Sequence, residues 1–221
     1  MIDLHTHTLL SDGALIPAEL CRRAEVIGYR AIAIADHVDY TNAEFVVSKL
    51  VRACKEAEYN FGDLTVLPGA ELTHVPPRGI PKLVARIRSW GAQVIVVHGE
   101  TIAEPVAPGT NRAALESDID ILAHPGLITP EDVQRAAKRG IYLEITAKKG
   151  HSLTNGHVAA LARHYGASLV LNTDAHEPGD LISLDQARRI ARGAAMSDDE
   201  IERMFANSAC LVNNVRRRQE V

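Results

Sequence analysis

The sequence predicts a parallel α/β barrel, and three observations carry that expectation. Short apolar runs alternate with helical patterns about seven times along the chain. The runs lack polar alternation, which marks strands buried on both faces and therefore parallel. Histidines and carboxylates stand just past the C-terminal ends of strands one to five and seven. A barrel gathers those ends into one ring at one mouth, whereas an open sheet strings seven strands, ~4.8 Å apart, along a line. The 221 residues suit one domain, 1–221.

The first strand covers residues 2–5, where Ile2 and Leu4 set an apolar beat. Side chains two apart share a strand face, so His5 and His7 aim at one point, with Asp12 close behind. Two imidazoles and a carboxylate with one focus suit a first-row divalent metal; two idle histidines on a solvated strand end are the alternative that this stretch alone leaves open. A helix over 17–27 follows, with Pro17 in its first turn and Gly28 as its stop. The second strand, 31–35, ends in Asp36-His37. A helix over 43–59 leads to the third strand, 64–70, which ends at Glu71. A proline-rich loop, a helix over 81–89 and Gly91 precede the fourth strand, 93–97, which ends at His98. A short helix over 111–116 leads to the fifth strand, 119–123, ending at His124-Pro125. Thr129 and Pro130 open a helix as cap and first residue, and Gly140 closes it. The sixth strand is 141–145, and a helix over 155–164 stops before Gly166. The seventh strand, 168–172, runs into Asp174-Ala175-His176, which repeats the two-apart geometry of the start. Helices over 183–193 and 198–206 follow, and Arg216-Arg217-Arg218 reads as a charged, frayed tail.

Composition bounds the function. Apolar residues make up 46% and charged residues 24%, ordinary for a soluble globular protein. A net charge of −4 and a pI near 6.2 give no electrostatic case for long nucleic acids or anionic membranes. No apolar run approaches the ~20 residues that span a bilayer. No basic-then-apolar leader precedes the first strand, so the expected location is the cytoplasm. Cys21, Cys54 and Cys210 are far apart, form no CxxC pair and read as free packing thiols. No GxGxxG or Walker glycine pattern marks a nucleotide-binding turn. The ten histidines are the compositional oddity.

The strand-end residues are His5, His7, Asp12, His37, Glu71, His98, His124, Asp174 and His176. One catalytic metal takes three or four protein ligands, so this set implies two or three ions, above all if a carboxylate bridges. Mixed histidine and carboxylate donors accept zinc, manganese and iron alike. The series HTHTLLSDG, ADH, GAE, VVHGE, AHPG and NTDAH resembles the PHP family, named for polymerase and histidinol phosphatase domains, over nearly the whole chain. The resemblance implies a distorted (β/α)7, TIM-like barrel of parallel strands with up to three divalent ions. It implies one ion on His5, His7 and Asp174, a second on Asp12, His37 and His176, and a third on His98 and His124, with Glu71 bridging the first and third. None of these positions departs from the family pattern, although some members have histidine where this chain has Asp12. The stretches around Gly99-Glu100-Thr101, Gly109-Thr110-Asn111 and Glu144-Ile145-Thr146, with Lys148, Lys149 and His151, are most similar to short histidinol-phosphatase-like members. Chains acting on histidinol phosphate usually carry longer loops over the barrel mouth than this one has room for.

The expected activity is that of a metal-dependent phosphoesterase hydrolysing a small phosphorylated metabolite, histidinol phosphate or a similar phosphomonoester. Clustered divalent ions favour that reaction because they furnish an activated hydroxide near neutral pH and clamp the attacking and leaving oxygens. Glu71, Asp174 and His176 are the expected catalytic residues, and Arg78, Lys148 and His151 the expected substrate contacts. Of the adjacent Lys148 and Lys149, one reaches the mouth and the other the surface. Glu100 and Asn111 read as substrate contacts or as supports for the donors. Glu144 either orients a histidine or lysine from inside the barrel or is a buried structural partner. His74, His157 and His164 read as bystanders. Two other function classes are kept: a phosphodiesterase or nuclease acting on nucleotides or single-stranded DNA, and a non-catalytic metal-binding scaffold. An amidohydrolase also begins with HxH, but usually bridges its metals through a strand-four lysine where this chain has His98.

Overall fold

The computed structural model describes residues 1–56 and 59–218. Its strands are β1 (Ile2–Thr6), β2 (Ala31–Ile34), β3 (His37–Val38), β4 (Thr65–Leu72), β5 (Val94–His98), β6 (Ile121–Ala123), β7 (Tyr142–Thr146) and β8 (Leu169–Asn172). Its helices are α1 (Pro17–Ile27), α2 (Ala43–Ala53), α3 (Ile80–Ser89), α4 (Thr110–Leu115), α5 (Pro130–Arg139), α6 (Asn155–Tyr165), α7 (Leu184–Gly193) and α8 (Asp198–Arg217). All strand pairs are parallel, in the order β1-β2-β4-β5-β6-β7-β8, and β3 pairs with β4 beyond the end of β2. The wall thus has seven strand positions, the parallel β/α barrel that the alternating runs predict.

Alternation within each strand builds two apolar layers. Leu4, Ala31, Ala33, Leu67, Val94, Val96, Ile121, Ala123 and Val170 face one another inside the barrel. Ile32, Ile34, Ile95, Val97, Leu143 and Ile145 point outward against the helices. Both faces are therefore dry, which is why the strands show no polar period. The small Ala31, Ala33 and Ala35 on the inner face let the neighbouring strands close tightly.

The barrel is nearly closed between β1 and β8. Near the mouth this seam is backbone: Asp174 N donates to His5 O at 2.9 Å and His7 N to Ala175 O at 2.8 Å. Further down it is side chain. Leu4 N donates to Asn172 Oδ1 at 2.8 Å, and Thr173 Oγ1 donates to Asp3 Oδ2 at 2.6 Å. Side-chain bonds thus replace ladder bonds along part of this seam, and on its other edge β1 shifts register against β2 between Asp3 and Thr6.

Two expectations need correction. The helix over 43–59 ends at Ala53, with Cys54 as its cap; of that span, residues 57 and 58 lie outside the described residues. The final helix does not stop at 206, and Arg216-Arg217-Arg218 is not a frayed tail. Helix α8 runs to Arg217 because Leu211, Val212 and Val215 recur at helical spacing and plug the barrel interior from below. Arg218 Nη1 pairs with the buried Asp120 at 3.1 Å. No helix among the described residues is long and apolar enough to cross a membrane.

If α8 is a plug, Leu211→Ala should lower unfolding free energy by about 2–4 kcal/mol, whereas Arg216→Ala should stay within about 0.5 kcal/mol. Urea denaturation followed by circular dichroism reads both; equal effects would return the segment to the status of a tail.

Candidate metal centre

The polar ring forms where the strands end. His5 and His7 leave β1 on one side, their ring centroids 5.0 Å apart. His5 Nε2 lies 3.3 Å from Glu71 Oε1, and His7 Nε2 lies 3.1 Å from Asp174 Oδ1. A second group joins His7 to Asp12, His37 and His176. There His176 Nε2 stands 3.3 Å from His37 Nε2 and 3.4 Å from Asp12 Oδ2. A third group is His98, His124 and His151. Within each of these groups, and in the trio His5, His7 and Glu71, the donor atoms lie within 4.8 Å of one another. Glu71 ties the groups together. Its Oε2 is 2.5 Å from His37 Nδ1 and its Oε1 is 3.8 Å from His124 Nε2.

The structure therefore brings all nine strand-end residues to one mouth, with His5 and His7 against Asp174, Asp12 and His37 against His176, and His98 beside His124, and it adds members to these sets. His7 faces the second group as well as the first, and Glu71 meets a histidine of the second group more closely than one of the third. His151, expected as a substrate contact, packs into the third group, its ring stacked 4.2 Å from that of His124.

Surrounding side chains fix the ring orientations. Glu144 is fully buried within β7; its Oε1 accepts from His5 Nδ1 and from Asn172 Nδ2, both at 2.8 Å, and its Oε2 accepts from His124 N at 3.1 Å. Of the two roles left open for Glu144, orienting a histidine is the one it fills. Asp36 accepts from Thr8 N and Oγ1 and from Ser11 Oγ, which holds the turn that carries Asp12. Thr73 Oγ1 lies 2.6 Å from His37 Nδ1. Gly13 is required there, because a Cβ would fall 2.6 Å from the His7 carbonyl. His124 (φ 25°) and Asp174 (φ 53°) hold backbone conformations that L side chains avoid, a strain of order 1–3 kcal/mol each that clusters at functional sites.

The remaining candidates separate. Lys148 Nζ reaches the mouth, 2.8 Å from His176 Nδ1, 3.1 Å from Asp174 O and 3.3 Å from Asp180 Oδ2, while Lys149 is exposed. Arg78 is exposed on the turn Pro77–Gly79 and, among the described residues, makes no hydrogen bond or ion pair. Glu100 and Asn111 are occupied with the fold: Glu100 Oε1 accepts from Gly109 N and Asn111 N, and Asn111 Nδ2 donates to Pro125 O. His157 Nε2 donates to Ile128 O and belongs to none of the donor groups. Sequence reasoning missed Asp36, Asn172 and Asp180, although ADH, NTDAH and the spacing after His176 contained them. It also missed Glu104, for which the sequence holds no signal.

Charge is divided unevenly across the ring. Burial acts to lower His5, but Glu144, Glu71 and Asp174 outweigh it and hold the imidazole well above its ordinary pKa. Burial opposes the charged forms of His37 and His176 too, and carboxylates again win: Glu71 and Asp12 raise His37, and Asp12 and Asp174 raise His176. Burial prevails for His7, pulled down to about 3, and for His124, driven well below its usual value with help from His98. Burial would raise Glu71 and Asp174, yet the neighbouring histidines hold both below the carboxylate range.

These residues fit divalent cations on a structural observation. Among the described residues, His5 Nε2, both nitrogens of His7, His124 Nδ1, Glu71 Oε1 and Asp174 Oδ1 are buried without hydrogen-bond partners. Each such atom costs about 1–3 kcal/mol. Their separations of 3.1–3.8 Å resemble the roughly 3.3 Å between two ligands of a tetrahedral ion. The donor chemistry and the shared carboxylates fit a multinuclear centre.

The comparisons agree with this geometry. The PHP domain family model matches residues 3–118. An uncharacterized protein of Methanocaldococcus jannaschii is 46% identical over 201 residues, covering 90% of this chain and 92% of that protein. Ribonuclease P protein component 3 of Methanosarcina mazei is 29% identical, covering 86% of this chain and 79% of its own. In fold, the chain resembles the histidinol phosphate phosphatase of Lactococcus lactis, solved with zinc, L-histidinol and phosphate: TM-score 0.62, 15% identity, 89% of this chain and 94% of the other.

Two outcomes follow from the electrostatics. Glu144→Gln keeps the volume but weakens the grip on His5, and should reduce metal affinity about 10–100-fold by competition with a chromophoric chelator. Because His37 and His176 are raised, they carry protons into the neutral range that a metal must expel. Loading at pH 7 should therefore release protons, and affinity should fall as pH drops. Titration calorimetry in buffers of different ionisation heat measures the release, and a buffer-independent heat contradicts it.

Proposed function

The chain belongs to the PHP domain family, and from that premise we propose that it is a metal-dependent phosphoesterase acting on a small phosphorylated metabolite. The observation that carries the reading is the fusion of three donor groups through Glu71, His7 and Asp174 into one mouth of a nearly closed barrel. Two or three divalent ions, zinc, manganese or iron, would be held by His5, His7, Asp12, His37, Glu71, His98, His124, Asp174 and His176. Bound there, they supply acidified water and an electrophilic clamp for phosphoryl oxygens.

The chain's own residues do the rest. Glu71 and Asp174 keep the donor groups at fixed separations, and Glu144 sets the His5 ring. Lys148 stands at the rim with its ammonium group beside His176 and is our candidate for neutralising the substrate phosphate. Asp180 holds that lysine, so it reaches the mouth pre-aligned. The likeness in fold to the histidinol phosphate phosphatase of Lactococcus lactis makes histidinol phosphate one compound to try, alongside other phosphomonoesters.

The likeness to a ribonuclease P component favours a second reading, cleavage of phosphodiesters in nucleotides or nucleic acids. One panel separates the two. The full chain, loaded with zinc or manganese, is offered phosphomonoesters, phosphodiesters, single-stranded DNA and RNA. Monoester turnover that a chelator abolishes is the expected result. Asp174→Ala should lower kcat/KM by more than the 10–100-fold typical of a residue that only supports a ligand. Turnover confined to nucleic acid would replace the first reading with the second, and no turnover of any phosphate ester would refute both.

A further inference from the structure

The third donor group carries two side chains beyond its strand-end pair. His151, only 7% exposed, offers Nε2 to the mouth because its Nδ1 is tied to Thr101 Oγ1 at 2.8 Å. His98 follows the same pattern, with Nδ1 donating to Gly99 O at 3.1 Å. Both free nitrogens face one carboxylate. Glu104 Oε2 lies 3.2 Å from His98 Nε2, and Glu104 Oε1 lies 3.4 Å from His151 Nε2. His74 Nε2 stands 3.3 Å from the same Oε2. Glu104 sits midway along the loop from β5 to α4. Both ends of that loop are pinned, by the Glu100 carboxylate on Gly109 N and Asn111 N and by the close approach of Gly126 to Glu100. The Glu104 side chain itself is 40% exposed.

We propose that His151 joins His98 and His124 as donors to a first-row divalent cation, and that Glu104, set against His98 and His151, is a detachable fourth donor that caps it. Three imidazoles and a carboxylate satisfy a four-coordinate ion, and a site of that kind is closed. A catalytic ion needs a free position. A pinned loop bearing one exposed carboxylate gives the site both states. With Glu104 engaged, the ion is retained. A substrate phosphoryl oxygen, anionic and oxygen-donating like the carboxylate, would take its place and open the ion to the reaction. His74, strained at φ 53° and half-exposed, would hold the released carboxylate aside. This inference rests on the metal-centre reading above.

The test uses the full chain loaded with cobalt(II), whose visible absorbance reports coordination number, and with zinc for a timed chase by excess chelator. Glu104→Gln and Glu104→Ala alter an exposed loop side chain and leave the core intact. Both should speed the loss of one ion about 10–100-fold, leave the other release phases unchanged and weaken the cobalt absorbance. Inorganic phosphate should shift the wild-type spectrum, and should shift the spectra of the variants at lower concentration because no carboxylate competes with it there. His151→Gln should speed the same phase. Wild-type kinetics and spectra in both Glu104 variants would overturn the proposal while leaving the metal centre standing. A chain that takes up no ion would overturn the metal centre itself.

Discussion

Glu71 is a fully buried carboxylate, and the arrangement of the mouth depends on it. An isolated ionised carboxylate at that depth would cost several kcal/mol. Its charge is sustained by His5 and His37, which lie against its two oxygens. Those imidazoles then need countercharges of their own, supplied by Glu144 and Asp174 for one and by Asp12 for the other. The network propagates outward until the barrel end is filled with alternating acids and bases. His7 and His124, the members that burial dominates, stay neutral between them. The same residues can be balanced in two ways, by protons on the raised histidines or by cations in their place. That exchange couples metal loading to pH.

The barrel makes the network possible by keeping its own interior dry and narrow. Alanines on the inner face and Leu211, Val212 and Val215 of α8 pack into one apolar cluster beneath the histidines. The seam matters most. Asp174 and His5 come from opposite ends of the chain, yet one backbone hydrogen bond joins them. Two side-chain bonds below it, from Leu4 to Asn172 and from Thr173 to Asp3, hold the last strand against the first. Asn172 also bonds Glu144, so the residue that closes the ring helps to orient His5. Stability and site geometry are thus carried partly by the same atoms.

The nine strand-end residues were legible because a parallel barrel sends every C-terminal strand end to one place, and strand ends can be read from apolar runs. His5 and His7, like Asp174 and His176, were legible as pairs through the two-residue period of a strand. The tail was misread because three arginines outweighed the sparse pattern of Leu211, Val212 and Val215, whose partners lie inside the barrel. Arg78 was read as a phosphate contact from its loop alone; it stands exposed on the turn after β4 and, among the described residues, makes no hydrogen bond or ion pair. Glu104 and His151 were not legible as companions of His98. They come from loops, and loop residues meet through paths that no local period encodes.

The sequence by itself determined the class of fold and the nine strand-end donors, since both follow from local periodicity and from residue type at strand ends. Tertiary structure decided which donors share a focus, that Lys148 rather than Lys149 faces the mouth, and that Glu71 stands nearer His37 than His124. Those outcomes depend on the tilt and closure of the ring, which are set by inward alanines, a helix packed beneath and a side-chain seam between residues 170 positions apart in the chain.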